Sequence, residues 1–260
     1  MKCSEIIEKL EQHSPKSFAE SWDNVGLLAG RHEKEVASVF IALDASKEVI
    51  EEAVRQDADM IITHHPLIFS PLKRITNEDF IGERIVRLLR YDISYYAMHT
   101  NFDVRGMADA AADNLELTDR EVLYVTFEDD ISTEGIGRCG KLKREMSLSE
   151  CSQFVKKAFD IPDVKAYGDL EGNISKIAVC PGSGKSFVKN ALELGCNALI
   201  TGDMDYHTAI DAVAQDLYII DAGHYGVEKL FIPYMRDFIK REIPSIKVYT
   251  DKIREPFVTL

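Results

Sequence analysis

The sequence is short of positive charge and of long apolar runs. Lysine and arginine number 31 against 44 aspartate and glutamate, which gives a formal net charge of −13. Because binding along a nucleic acid needs a basic surface, this balance argues against a nucleic-acid partner, and it argues equally against docking on anionic lipid. No apolar run approaches the ~20 residues of a membrane-spanning helix, so no membrane association is expected.

Cysteine is also scarce. The five cysteines are widely spaced and form no Cys-x-x-Cys pair. Residues 1–13 are charged and amphipathic and lack the apolar segment of a secretory signal. In such a chain we expect reduced thiols that act as small buried apolar side chains, and a cytoplasmic location. At 260 residues the chain is long enough to bury a core without disulfides.

Short apolar runs alternate with amphipathic helical segments along most of the chain, a pattern typical of an α/β fold with mostly parallel strands. The predicted strands are 36–43, 60–63, 93–98, 122–127, 176–180, 198–201, 217–221 and 246–250, with a hairpin over 133–143 at a sheet edge. The predicted helices are 3–13, one capped by Ser46, 80–91, 106–115, one from Ser147 or Ser149 to Phe159, one ending at Leu194, 206–215 and 225–240.

Three of the predicted strands end in histidines and carboxylates, and ligands bind beyond the carboxyl ends of parallel strands. These residues are His64 and His65 after the second strand, His99 and Asp103 after the third, and His224 and Glu228 after 217–221. His224 and Glu228 are four residues apart at a helix start, so both lie on one helix face. Adjacent strand residues point to opposite faces, but Pro66 ends the strand and allows both neighbouring histidines to turn toward one cleft.

The residue types predict a metal site. Imidazole and carboxylate ligands without thiolate suit Zn, Fe, Mn, Co or Ni better than Mg or Ca, and a shared carboxylate suits two ions ~3.5–4 Å apart. The candidate ligands are His64, His65, Asp103, His224 and Glu228. His99 is either a further ligand or a hydrogen-bond partner of one, and His207 is either a proton carrier near the same cleft or a helix N-terminal residue.

The segment from Pro181 to Ser186 resembles a phosphate-binding P-loop but fails its first requirement. A P-loop has the spacing Gly-x4-Gly-Lys-Ser/Thr, and the position of its first glycine is occupied by Val179. Two interpretations remain for the turn Gly182–Lys185. It is either a plain strand-to-helix turn or a weak anion site made by helix N–H groups with the help of Lys185.

Four segments, in this order and spacing, resemble the interacting-factor-three-like family of dinuclear metal proteins, whose bacterial members are often named GTP cyclohydrolase 1 type 2 homologs. The segments are Ser-Trp-Asp-Asn-Val-Gly-Leu (21–27), Ile-Thr-His-His-Pro-Leu-Ile-Phe (62–69), His-Thr-Asn-Phe-Asp (99–103) and Gly-His-Tyr-Gly-Val-Glu (223–228). The resemblance covers almost the whole chain.

The resemblance implies two interleaved α/β domains with mostly parallel sheets, in a short form without the inserted middle domain of longer members. We place the first domain at 1–120 plus 230–260 and the second at 121–229. The resemblance also implies a toroidal homohexamer and two divalent transition metal ions per subunit, held by the five ligands above. Asp203 stands where a glutamate is more usual, which leaves open whether this shorter side chain reaches the site.

The resemblance leaves the reaction open, and with it the question of whether the protein is an enzyme. One hypothesis is a metal-dependent hydrolase acting on a nucleotide-like or phosphorylated small molecule, GTP included, with His99 or His207 carrying a proton. The alternative is a non-catalytic hexameric ring that stores metal or binds a protein partner, as the family name suggests. A purely structural ion is disfavoured, because closed structural zinc sites are typically rich in cysteine.

Overall fold

The computed structural model describes residues 1–252 and 257–258. The chain forms two compact units. Unit 1 consists of Met1–Phe102 and the segment that begins at Phe231, and unit 2 contains Asp103–Leu230. The chain thus leaves unit 1 after Phe102 and returns to it at Phe231, which makes the two α/β units interleaved in sequence. The described residues show no further inserted domain, and none of their helices has the length and apolarity needed to cross a bilayer.

The helices are short, and most follow a strand. In chain order they are α1 (Cys3–His13), α2 (Lys47–Arg55), α3 (Phe80–Arg90), α4 (Thr100–Phe102), α5 (Ala108–Asn114), α6 (Leu148–Phe159), α7 (Val188–Glu193), α8 (Tyr206–Val213), α9 (His224–Glu228) and α10 (Phe231–Glu242). A π turn over Asp103–Met107 joins α4 to α5.

The strands form one sheet in each unit. In chain order they are β1 (Gly26–Ala29), β2 (Ser38–Ala42), β3 (Met60–Thr63), β4 (Ser94–Ala97), β5 (Thr118–Glu128), β6 (Thr133–Ser147), β7 (Lys165–Tyr167), β8 (Asn173–Ser183), β9 (Ala198–Gly202), β10 (Tyr218–Asp221) and β11 (Lys247–Thr250).

The sheet of unit 1 has the strand order β1-β4-β3-β2-β11. Strands β4, β3, β2 and β11 are parallel, and only β1 pairs antiparallel, at the edge. Every residue of β2, β3 and β4 is buried. Helices cover both faces of such a sheet, which is why these strands are continuous apolar runs. On one face Phe40, Ile61 and Tyr95 pack in the cluster that contains α2 and α3 residues, and on the other Tyr96 reaches Glu11 of α1.

The sheet of unit 2 has the strand order β5-β6-β8-β9-β10-β7. Its centre, β8-β9-β10, is parallel, and its flanking strands pair antiparallel. The hairpin predicted over 133–143 at a sheet edge is wrong: these residues belong to the single strand β6, which lies inside the sheet and pairs antiparallel with β5 on one side and β8 on the other. Across both sheets five of the nine described strand pairings are parallel, in agreement with the predicted α/β class.

Two further differences from the prediction have identifiable reasons. The single helix predicted over 225–240 is two helices, α9 and α10, because Pro233 has no N–H to donate and its ring would clash with the carbonyl one turn earlier. Strands β1 and β7 were not predicted, because they are short edge strands that exist through pairing with β4 and β10. The predicted caps Ser46 and Ser147 are confirmed, since each side chain accepts an N–H of its helix.

Candidate metal centre

His64 and His65 leave strand β3 in a turn that is held by hydroxyl groups. The Thr63 Oγ1 and Tyr95 Oη atoms lie 2.8 and 2.9 Å from the carbonyl oxygen of His65. The Leu67 N–H donates to the same tyrosine oxygen at 2.8 Å. The turn brings the two imidazole rings together, with centroids 5.0 Å apart, although adjacent residues of a regular strand would point to opposite faces.

Both rings are oriented by hydrogen bonds at Nδ1. His64 Nδ1 lies 2.7 Å from the carbonyl oxygen of Met98, and His65 Nδ1 lies 2.8 Å from Oδ1 of Asp44 at the end of β2. A carbonyl oxygen can only accept, so Nδ1 of His64 is the donor, and in a neutral ring this arrangement puts the lone pair on Nε2. Metal-binding histidines in proteins are almost always oriented in this way. The ring of His64 is fully buried and that of His65 is partly exposed.

His99 completes a group of three imidazoles in unit 1. The ligand atoms of His64, His65 and His99 all lie within 4.8 Å of one another. His99 Nδ1 is 2.9 Å from Oδ1 of Asp23, whose carboxylate is completely buried and also accepts from the Thr100 N–H and hydroxyl. Burial alone would raise the pKa of Asp23, but the hydrogen bonds from His99 and Thr100 lower it to about 2. Asp23 is therefore a fixed negative charge behind the His99 ring.

In unit 2, His224 and Glu228 lie on one face of α9. His224 Nε2 is 3.0 Å from Oε2 of Glu228, as their four-residue spacing predicts. His224 Nδ1 is 2.7 Å from Oδ2 of Asp203, which follows β9. The shorter side chain of Asp203 therefore does reach His224. Glu228 is 3% exposed, so its carboxylate lies in a buried setting.

Two glycines make room for this pair. A Cβ atom on Gly202 would lie 2.5 Å from the backbone nitrogen of His224, so only glycine lets α9 begin so close to β9. A Cβ atom on Gly182 would overlap Oε1 of Glu228, and its φ of +70° also favours glycine. The turn that resembles a P-loop therefore packs against a candidate ligand.

The other residues of the turn Gly182–Lys185 also make contacts within unit 2. The Gly184 N–H donates to Thr201 Oγ1 at 2.7 Å, and Lys185 lies 3.9 Å from the Asp205 carboxylate. These contacts support the strand-to-helix interpretation of the segment. His207 is the second residue of α8 and is exposed, with its ring edge-on to Tyr206.

Asp103 is the first residue of the π turn, and its carboxylate is close enough to Cys180 to affect the pKa of the thiol. Burial raises the pKa of this thiol, and the carboxylates of Asp103 and Glu228 raise it further. Both carboxylates therefore act on the same buried part of unit 2. All five cysteines are buried and none is in a disulfide.

The structure thus forms two sets of candidate ligands. The unit 1 histidine group is His64, His65 and His99. In unit 2, His224 and Glu228 form a close pair, and a carboxylate oxygen of Asp103 lies within 4.8 Å of one of Glu228. Asp23, Asp44 and the Met98 carbonyl are partners of these histidines that the sequence did not predict. A usable signal was present for the two aspartates, since Asp44 ends a strand and Asp23 lies in the Ser-Trp-Asp-Asn segment.

Comparison with known sequences gives matches along the whole chain. The model of the Duf34/NIF3 (NGG1p interacting factor 3) family matches residues 1–256. A Clostridium perfringens protein named GTP cyclohydrolase 1 type 2 homolog is 34% identical over 261 residues, covering 99% of both chains. A Bacillus subtilis protein of the same name is 28% identical over 347 residues, covering 93% of this chain and 92% of its own. This second alignment is longer than the 260-residue chain, so that relative has residues with no counterpart here.

Solved structures agree with the sequence matches. A Bacillus cereus protein related to NIF3 superposes with a TM-score of 0.91 at 25% identity, over 100% of this chain and 99% of its own. Reduced HcgD from Methanocaldococcus jannaschii superposes with a TM-score of 0.82 at 31% identity, over 96% and 97% of the two chains. The fold and the family resemblance drawn from the four sequence segments are both confirmed.

Proposed function

The chain belongs to the Duf34/NIF3 family, and from this premise we propose that it binds two divalent transition metal ions and uses them as a hydrolase. The proposed substrate is a nucleotide-like or phosphorylated small molecule. The proposed ions are Zn, Fe, Mn, Co or Ni, and the proposed ligands are His64, His65, Asp103, His224 and Glu228.

The observation that carries the proposal is the shared orientation of the histidines. The three proposed histidine ligands each have an acceptor at Nδ1, which leaves Nε2 as the atom to bind a metal ion. In His224 that atom faces Oε2 of Glu228, another proposed ligand, at 3.0 Å. Histidines that merely fill a core need no such uniformity. The donor set, imidazole and carboxylate without thiolate, fits the proposed ions.

The proposed ligands Asp103 and Glu228 lie close in sequence to the two places where the chain crosses between the units. Phe102, the last residue of unit 1 before the crossing, has its ring 6.2 Å from that of His64 and is bonded to Asp103. Phe231, where the chain returns, has its ring 5.5 Å from that of His64 and follows Glu228 by three residues. Asp103 and Glu228 are thus within three residues, along the chain, of the two aromatic residues whose rings neighbour that of His64.

The proposed chemistry divides between the ions and the chain. Two bound dications would supply Lewis acidity and would lower the pKa of water toward ~7. His99 would then act as a proton acceptor at Nε2, because its Nδ1 donates to the buried Asp23 carboxylate. The names of the relatives, GTP cyclohydrolase 1 type 2 homolog, support a nucleotide as the first substrate class to test.

Elemental analysis of the purified protein tests the centre. We expect two transition metal ions per chain, and about one or fewer after Glu228→Gln, which removes the charge but keeps the side-chain shape. Glu193→Gln, at an exposed glutamate of the same unit, is the control and retains both ions. One ion or none in the parent, with circular dichroism showing a folded chain, contradicts the two-metal proposal.

A turnover screen tests the hydrolase part separately. The metal-loaded protein is incubated with nucleoside triphosphates, monophosphates and simple phosphoesters, and the products are separated by chromatography. Two metals without turnover of any compound would contradict the hydrolase and favour a non-catalytic ring. We also propose a homohexamer, for which sedimentation of the metal-loaded protein should give the mass of six chains.

A further inference from the structure

Two large aromatic side chains stand exposed beside the unit 1 histidine group. Trp22 is 57% exposed and Phe69 is 54% exposed. Their ring centroids are 5.9 Å apart with planes inclined at 46°, and the Trp22 ring meets His99 edge-on at 6.1 Å. Aromatic side chains usually bury most of their area, so a pair kept half-exposed against polar imidazoles calls for an explanation.

The two residues after Trp22 hold it in this position. Asp23 accepts hydrogen bonds from His99 and Thr100, which ties the segment to the histidine group. Asn24 Nδ2 donates to the carbonyl oxygen of Ile68 at 2.6 Å, which ties the same segment to the residue before Phe69. The chain segments that carry the two aromatic residues are therefore held together before any ligand arrives, and binding to a preorganised surface loses less conformational entropy.

We propose that Trp22 and Phe69 form a stacking platform for a planar heteroaromatic ring of the substrate, of the size of a nucleobase. The proposal rests on the proposed metal-dependent function and names the substrate class of that site. A planar ring can lie on the exposed face of one aromatic side chain and meet the edge of the other. Because the ring centroids of His99 and Trp22 are 6.1 Å apart, one small molecule can stack on Trp22 and still reach the imidazoles.

The composition of the chain supplies a direct probe. Trp22 is its only tryptophan, so tryptophan fluorescence reports on this position alone. We would titrate the metal-loaded protein with guanosine 5′-monophosphate and with ribose 5-phosphate, which carries the same phosphorylated sugar without the base. We expect saturable quenching of Trp22 by the nucleotide and no comparable quenching by the sugar phosphate.

Variants then test the platform by isothermal titration calorimetry. Phe69→Leu and Trp22→Leu should each weaken binding of guanosine 5′-monophosphate about tenfold, because each removes one aromatic stacking surface. Phe80→Leu is the matched control, since Phe80 is 63% exposed in the same unit and its ring lies under the Arg84 guanidinium. It should leave the affinity unchanged.

Three results would overturn the platform. The first is an unchanged affinity in both Phe69→Leu and Trp22→Leu. The second is that the wild type binds none of guanosine, adenosine and cytidine monophosphate. The third is a Phe69→Leu protein that sediments as a smaller species while the wild type binds no nucleotide, which would make the pair a contact between chains. Metal content, measured on the same samples, separates the two proposals. If the protein binds two ions but the nucleotide does not quench Trp22 fluorescence, only the platform is overturned. If the nucleotide quenches Trp22 fluorescence in a protein that binds no metal, the platform is supported and the metal centre is contradicted.

Discussion

The Nδ1 atom of His224 lies 2.7 Å from Oδ2 of Asp203, and the two residues follow different strands of the unit 2 sheet. In unit 1, His65 is related to Asp44 in the same way, at 2.8 Å. A carboxylate at Nδ1 fixes the ring orientation and raises the basicity of Nε2. The two contacts tie histidines that follow β3 and β10 to acids that follow β2 and β9.

Asp203→Asn should weaken metal binding about tenfold without unfolding the protein. Asparagine tolerates the positive φ of 52° at this position but removes the charge from the His224 contact. Affinity would be measured by competition with a coloured chelator. Asp216→Asn, at an exposed aspartate with a φ of 64°, is the control and should bind metal normally. Equal affinities in the two variants would show that Asp203 does not tune the site.

Asp23→Asn should destabilise the metal-free protein by about 2 kcal/mol at pH 5, and the difference should shrink as the pH falls toward 2. The pKa of Asp23 in the fold, about 2, lies below the ordinary value of about 3.9. Ionised Asp23 therefore contributes stability that is fully present above the ordinary pKa and is lost as the pH falls through the folded value.

Urea unfolding between pH 5 and 2.5 measures this difference. Asp57→Asn, at an exposed aspartate of unit 1, serves as the control and should show no pH-dependent gap from the wild type. A gap for Asp23→Asn that stays constant over the whole range would contradict the lowered pKa.

The candidate ligands could be selected from the sequence because each follows, directly or within a short loop or one helical turn, an apolar run that is typical of a buried strand. The pairing of each histidine with its hydrogen-bond partner could not be predicted, although Asp44 and Asp203 each follow a predicted strand, because the partners are distant in the chain. Asp44 and Asp203 are each 21 residues from their histidines, and Asp23 is 76 residues from His99. Only the folded sheets bring these positions together, and no local pattern records the pairing.

The same distinction explains the fold predictions. Strand β3 was predicted at its observed bounds, because Met60–Thr63 is a continuous apolar run that is buried throughout. Strand β1 is also a short apolar run, but it lies between turn residues and glycines, is mostly only half-buried, and forms through antiparallel pairing with β4 at the sheet edge. The break between α9 and α10 was missed because amphipathic periodicity continues past it, although Pro233 marks it.

Ser147→Ala should lower the free energy of unfolding by about 1 kcal/mol. The Ser147 hydroxyl accepts the Glu150 N–H at 3.2 Å, and the Glu150 carboxylate accepts the Ser147 N–H at 3.0 Å, a reciprocal capping box at the start of α6. Ser149 was the other cap considered from the sequence and lies inside the helix, so Ser149→Ala is the control. Chemical denaturation measures both, and equal losses would contradict the assignment of the cap.

Gly182→Ala should destabilise unit 2 by backbone strain and by a steric overlap, and Gly195→Ala, which causes only the strain, separates the two effects. Gly182 has a φ of +70° and Gly195 a φ of +68°, so alanine at either position costs about 1 kcal/mol of backbone strain. A Cβ at Gly195 would meet no described atom within 4 Å, whereas one at Gly182 would overlap Oε1 of Glu228.

We therefore expect Gly182→Ala to lose at least about 1 kcal/mol more than Gly195→Ala in urea unfolding, since overpacking adds to the strain. Because the displaced group is the Glu228 carboxylate, Gly182→Ala should also lower the metal content, which Gly195→Ala should leave intact. Equal stability losses would mean that Glu228 moves aside at no cost. A normal metal content in a folded Gly182→Ala protein would then show that the site does not depend on the carboxylate position that this glycine protects.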